Sequence, residues 1–342
     1  MRRRFFCTAC AVVAWLVVQP RSAPPADHIW FSPNPGTIDY VRLFEQPGEW
    51  PHARQLFSVF KFYQQHTQMP PPAVVGPNSY AALAGADAFR TLQRWGKKIA
   101  IEEPTVKDYY CTSDDSGMNA SIADTVASVE AVERAGASVS YLAMDEPFAS
   151  GRAAICGGPA LEPTADRVAI YVGGVRAARS SVQIGLIEAY PFSDEPAMET
   201  ILGLLRARNA MPAFLHVDID LSAASQAGLD VSTDMRQLKA ACAAAGVKFG
   251  IIVWGSNGDA DALYARDAGR LVNAIAQAFP SAADVPDHIV IQSWAVSGSG
   301  ASITPTNLPE SRAYTHTNLL WSFYRRLSGE TGPSVGTAVS RR

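Results

Sequence analysis

The chain has 342 residues, 48% of them hydrophobic and 18% charged, with a formal net charge of −3. That composition excludes a disordered chain, a collagen-like repeat and a disulfide-dense mini-domain. Without a cluster of five or more Lys and Arg, a nucleic-acid or anionic-membrane surface is not expected either.

Met1 to Arg4 are basic, and the fourteen residues from Phe5 to Val18 are apolar. Pro20 breaks the stretch, and small residues follow at Ser22, Ala23 and Ala26. This is the anatomy of an export signal over residues 1–26, too short in its apolar part to span a bilayer. The Arg2-Arg3-Arg4-Phe5-Phe6 run loosely resembles a twin-arginine signal. Removing the segment takes away Arg2, Arg3, Arg4 and Arg21 and no acid, so the mature charge is −3 − 4 = −7. The expectation is a soluble, monomeric protein, secreted or periplasmic, with enough chain for a sizeable core.

Short apolar or β-branched runs then recur, each followed by a longer helical pattern. The expected strands are 28–32, 58–63, 98–102, 138–144, 182–187, 214–219, 248–254 and 288–293. Helical patterns cover 80–95, 120–135, 164–179, 194–208, 231–245, 261–279 and 314–327. Gly96, Gly136 and Gly246 stand where three of these helices must stop and turn back. Eight β/α units predict a single-domain (β/α)₈ TIM barrel over 27–330, with 331–342 as a disordered tail. An open doubly wound sheet is the rival. No G-x-G-x-x-G or G-x-x-x-x-G-K-[ST] phosphate turn supports it.

Once the signal is removed, Cys111, Cys156 and Cys242 remain. Cys242 lies in an Ala-rich helical run, whereas Cys111 and Cys156 lie in long loops after neighbouring strands, so these two are the expected disulfide. The spacing of Cys and His suits no zinc site, and Asp218 with Asp220 lacks a third ligand for a cation. No metal and no cofactor are expected.

In a barrel the chemistry gathers at the C-terminal ends of the strands. Acids stand at four successive ends: Glu102 and Glu103, Asp145 and Glu146, Glu188, and Asp218 with Asp220. Asn34, Lys61, Tyr63, Tyr190, Trp254 and Trp294 occupy comparable places. Carboxyls beside aromatic platforms suit glycoside cleavage, in which one carboxyl protonates the leaving oxygen and a second acts as nucleophile or base. Solvated acids at strand ends are the plainer reading. His216 reads equally as a substrate contact or as a core histidine. Trp50 and Trp95 read as packing, and Trp30, Trp254 and Trp294 as site candidates. The Gly/Ser-rich stretch 297–302 reads as a loop over the same face.

Asp145-Glu146-Pro147 closing the fourth strand resembles the Asn-Glu-Pro of the large TIM-barrel glycoside hydrolase clan. His216-Val217-Asp218 is similar to that clan's His-x-Tyr, and Trp294 to its platform tryptophan. The resemblance implies Glu146 as acid/base, with Asp145 replacing the sugar-contacting Asn. It departs at the seventh strand, where the clan has a nucleophilic Glu and this chain has Val253-Trp254-Gly255-Ser256-Asn257. Glu188 is the first substitute for the missing carboxylate, Glu103 the second and Asp218 the third. The amylase-like barrels offer another assignment, with Asp145 as nucleophile and Glu188 as acid. The expected function is hydrolysis of a poly- or oligosaccharide. The alternatives are a catalytically silent glycan-binding barrel and a barrel enzyme of another class such as a lyase.

Overall fold

Eight parallel strands close on themselves in sequence order, each hydrogen-bonded to the next and the eighth to the first. They are β1 (Ile29–Ser32), β2 (Val59–Tyr63), β3 (Lys98–Glu103), β4 (Val139–Asp145), β5 (Gln183–Tyr190), β6 (Phe214–Ile219), β7 (Lys248–Val253) and β8 (His288–Gln292). The computed structural model describes residues 28–69, 76–107, 110–281, 284–294 and 305–328. The expected signal (1–26), the 297–302 loop and the 331–342 tail lie outside those residues. Among the described residues no helix is long and apolar enough to cross a membrane.

The barrel forms because both faces of its strands are apolar, so each must be covered. Outward residues such as Leu142, Met144, Ile184 and Leu186 pack against a ring of helices in the larger core. The main members of that ring are Ser116–Arg134, Leu161–Ala178, Glu195–Ala207, Val231–Ala245, Asp261–Ala278 and His316–Ser328. Gly96, Gly136 and Gly246 do adopt positive φ, of 68°, 82° and 71°, where helices give way to β3, β4 and β7. The helix expected over 80–95 is instead two, Tyr80–Gly85 and Ala88–Arg94. The break falls at Asp87, whose φ of 54° is supported by an ion pair with Arg94 at 2.7 Å. Short helices that were not expected from the sequence include Arg42–Glu45 and Ala53–Leu56 between β1 and β2, and two at the strand ends. Pro147–Gly151 and Leu221–Gln226 start where β4 and β6 end, on the loop face.

Inward residues form a second, smaller core that includes Trp30, Tyr141, Phe214, Ile252 and Val290. Trp30 is its hub, fully buried, with ring centroids 4.9 Å from Tyr141, 4.8 Å from His216 and 5.1 Å from His288. Burying an aromatic of this size contributes on the order of 3 kcal/mol. Small residues make room for these rings. A Cβ on Gly185 would lie 2.1 Å from the Phe214 ring, and one on Gly250 would lie 2.5 Å from His216. The barrel is therefore plugged beneath its mouth.

The Cys111–Cys156 disulfide is present, with Cα atoms 4.9 Å apart, and it ties the loop after β3 to the loop after β4. Cys242 is buried and unpaired.

Candidate active site

Above the aromatic plug, the inward positions turn polar. Lys61 on β2 is fully buried and forms an ion pair with Glu102 on β3. Gln292 on β8 donates from Nε2 to Glu102 at 3.2 Å and to the Tyr63 hydroxyl at 3.0 Å. Tyr63 donates to the Ser293 carbonyl at 3.4 Å, and Ser32 donates to the Lys61 carbonyl at 3.2 Å. Burial raises the Glu102 carboxyl above its ordinary value, with the Lys61 ammonium pulling it back. These side chains make a cross-linked polar floor in which the cation and the acid offset one another.

Glu146 stands at the rim. Asp145, the last residue of β4, pairs with Lys107 at 3.0 Å. Glu146 follows it in the left-handed region, φ 46° and ψ 49°, and Pro147 opens the next helix. A left-handed non-glycine residue costs roughly 1–2 kcal/mol, so the surrounding structure must hold this turn in place. The Glu146 N–H donates to the Ile187 carbonyl at 3.1 Å, and its carbonyl accepts from the Ser150 N–H at 2.9 Å. Burial, then the neighbouring Asp145, push its carboxyl up to about 7, with Lys107 acting the other way.

Asp218 lies on the inward face of β6 and is 8% exposed. Its Oδ1 is buried and has no hydrogen-bond partner among the described residues. Burial raises its carboxyl well above the ordinary range, and Glu146 is the strongest of the charges adding to that, ahead of Glu102 and Asp145. Trp254 and Trp294 bring their ring centroids within 4.8 Å of each other just beyond the ends of β7 and β8.

Period-two alternation sends other expected residues elsewhere. Glu103 points outward and accepts from Thr125 on the Ser116–Arg134 helix at 3.2 Å. Glu188 is also outward. Its two oxygens accept the backbone N–H groups of Phe148 at 2.9 Å and Ala149 at 3.3 Å, at the start of the Pro147–Gly151 helix. Burial raises it to about 8 against the pull of those N–H groups. It buttresses the turn that carries Glu146 and does not open into the barrel. Tyr190 likewise faces out and donates to Asp234.

Asn34 is buried in a loop scaffold, with its amide donating to the Pro305 carbonyl at 3.2 Å. His216 sits in the plug, its Nε2 2.9 Å from His288 Nδ1, which is the core-histidine alternative. Trp30 belongs to the plug as well. Asp220 caps the Leu221–Gln226 helix, accepting from Ser222 and Ala223 at 2.9 Å each.

The site thus unites Lys61, Tyr63, Asp145, Glu146, Asp218, Trp254 and Trp294 from the expected set. It adds Glu102, which the sequence placed at the end of the third strand without a role of its own, and Lys107 and Gln292, which sequence reasoning did not single out. The signal for Glu102 was Lys61 itself: a lysine inside a strand needs an inward acid beside it. Among the described residues no three His, Cys, Asp or Glu side chains converge as metal ligands.

No family model and no curated protein matches the chain. Solved structures do. A modular endo-β-1,4-mannanase from Cellulomonas fimi is similar at a TM-score of 0.55 and 14% identity, covering 92% of this chain and 74% of its own. A glucosidase from Croceicoccus marinus gives 0.52 and 14%, covering 89% and 68%. A GH5_18 protein from Streptomyces cattleya, in complex with GlcNAc, gives 0.53 and 10%, covering 90% and 82%. At these identities the likeness is one of fold.

Proposed function

We propose that this barrel is an exported O-glycosyl hydrolase acting on a poly- or oligosaccharide, with Glu146 as general acid/base and Asp218 as the second carboxylate. The observation that carries the reading is the charge pairing at the mouth. Lys61 matches Glu102 and Lys107 matches Asp145, which leaves Glu146 and Asp218, among the described residues of the mouth, as the two carboxyls without an ion-pair partner of their own. Both are raised chiefly by burial, and each is further raised by neighbouring acids, Glu146 being the main one for Asp218. A carboxyl raised in this way can keep a proton for donation while a second one reacts as the carboxylate. That is the state glycoside cleavage requires: one carboxyl to protonate the leaving oxygen, one carboxylate to attack the anomeric carbon or activate water. The paired Trp254 and Trp294 rings offer a platform for a sugar face. Similarity to mannanase and glucosidase barrels supports the same reading.

A second reading, a glycan-binding barrel without turnover, is favoured by the absence of an acid at the end of β7, where Trp254 follows Val253. Product analysis on a panel of soluble polysaccharides separates the readings. New reducing ends support hydrolysis. Unsaturated products absorbing in the ultraviolet mark a lyase, and binding without products marks the silent barrel; either contradicts the proposal.

A further inference from the structure

A cavity of about 720 Å³ opens beside Asp145 on the loop face, lined by residues that include Gln65, Lys107, Ser150, Arg152 and Phe192. That volume suits a ligand of sugar size. Its charge differs from that of the mouth. It holds two cations, Lys107 and Arg152, and one acid, Asp145, already paired with Lys107 at 3.0 Å. Arg152 has no carboxylate partner among the described residues, and its Nε is buried without a hydrogen bond. Its guanidinium lies 4.4 Å from the centre of the Phe192 ring, which is 52% exposed. A guanidinium stacked on a ring keeps its N–H edge free, and that edge fits a carboxylate or sulfate in its own plane. The disulfide adds rigidity at this point. Lys107 lies four residues before Cys111 and Arg152 four residues before Cys156, so the bridge clamps the two cation-bearing loops together.

We infer that this cavity is a subsite for a sugar unit bearing an anionic substituent, with Arg152 as the residue that selects it. The inference rests on the hydrolase reading for its substrate and deepens it: the glycan cleaved at Glu146 is acidic. Asp145 and Lys107 orient the ring, Phe192 supports its apolar face, and Arg152 takes the carboxylate of a uronic acid or a sulfate ester.

The test is calorimetric titration of the full chain carrying Glu146→Gln, which prevents turnover. The probes are oligogalacturonides, glucuronoxylan and alginate oligosaccharides, each beside its carboxyl-reduced counterpart, and chondroitin sulfate oligosaccharides beside the desulfated form. At least one charged member is expected to bind ten-fold or more tighter than its neutral twin, with a preference that shrinks as salt is raised. The uronate and sulfate arms identify which anion is read. Adding Arg152→Met should erase the preference without shifting the melting temperature. Arg152→Lys, which keeps the charge and loses the planar fork, should retain part of it.

Equal binding of charged and neutral members, no binding of any, or a preference that survives Arg152→Met overturns the subsite. Glu146-dependent cleavage of a neutral glycan without acidic preference sinks the subsite and leaves the hydrolase reading standing. An Arg152-dependent preference without any cleavage by the unsubstituted chain does the reverse.

Discussion

Glu188→Gln distinguishes a buttress from a reacting carboxyl. In the structure both Glu188 oxygens are acceptors, taking the Phe148 N–H at 2.9 Å and the Ala149 N–H at 3.3 Å. A carboxyl, ionised or protonated, presents an oxygen to each donor. An amide presents one oxygen and turns an NH₂ toward the other N–H. The loss is one buried donor left unsatisfied, about 1–3 kcal/mol. For a domain of this size, at about 1.5 °C per kcal/mol, that corresponds to a fall in Tm of roughly 2–5 °C. The same bonds hold the helix that follows Glu146, and Glu146 is kept in a left-handed turn costing about 1–2 kcal/mol. Loosening the helix lets that turn relax, and a displacement near 1 Å of an acid/base group costs up to about a hundred-fold in rate. Thermal melts and steady-state kinetics on the cleaved glycan are therefore expected to show a lower Tm, a ten- to hundred-fold lower kcat and little change in KM. An unchanged Tm with kcat reduced more than about ten-thousand-fold would refute the reasoning and return Glu188 to the role of second carboxylate.

Lys107→Met removes the cation that favours the ionised form of Glu146, so the alkaline limb of the rate profile, near pH 7, should move up by on the order of one unit; a downward move contradicts the assignment. Replacing both Cys111 and Cys156 by serine opens a loop closed across a sequence separation of 45 and should cost about 4 kcal/mol, read by denaturant titration with the unsubstituted chain as reference. Stability should also fall as pH rises from 6.5 to about 8. Across that window Glu146 and Glu188, raised to about 7 and about 8, hold protons the unfolded chain has already released, and this outweighs the opposing contribution of the buried His28, His66, His216 and His316, all lowered, whose unfolded-state protons are mostly lost by about pH 7.5. A Tm that rises over this interval would contradict the burial of those acids.

The barrel was legible because period and punctuation agree along the whole chain. Six of the seven helical patterns, three turn glycines and eight apolar runs each found their element, the pattern over 80–95 being split at Asp87, and most strand ends lie within a residue or two of expectation; β5 runs on to Tyr190. The site was legible only to the level of the strand end. Glu102 and Glu103 are adjacent, and one residue of register decides which faces Lys61 and which faces Thr125. In Gln183–Tyr190 both faces are apolar, so alternation in sequence could not show that Ile187 points in and Glu188 out. Asp218 was outranked for the same reason. What separates it from Glu188 is the absence of a partner for Oδ1, a property of the folded mouth and not of the strand. The Cys111–Cys156 pair was accessible because neighbouring strands force their loops together.

The central claim is that Glu146 and Asp218 are the carboxyl pair. It is tested most directly by reducing-end release from the responsive glycan, compared among the unsubstituted chain, Glu146→Gln and Asp218→Asn, with Tm recorded for each. The account predicts a loss of at least about a thousand-fold in both variants with Tm within a few degrees of the starting value. More than a tenth of the original rate in Glu146→Gln, at unchanged fold, would contradict it.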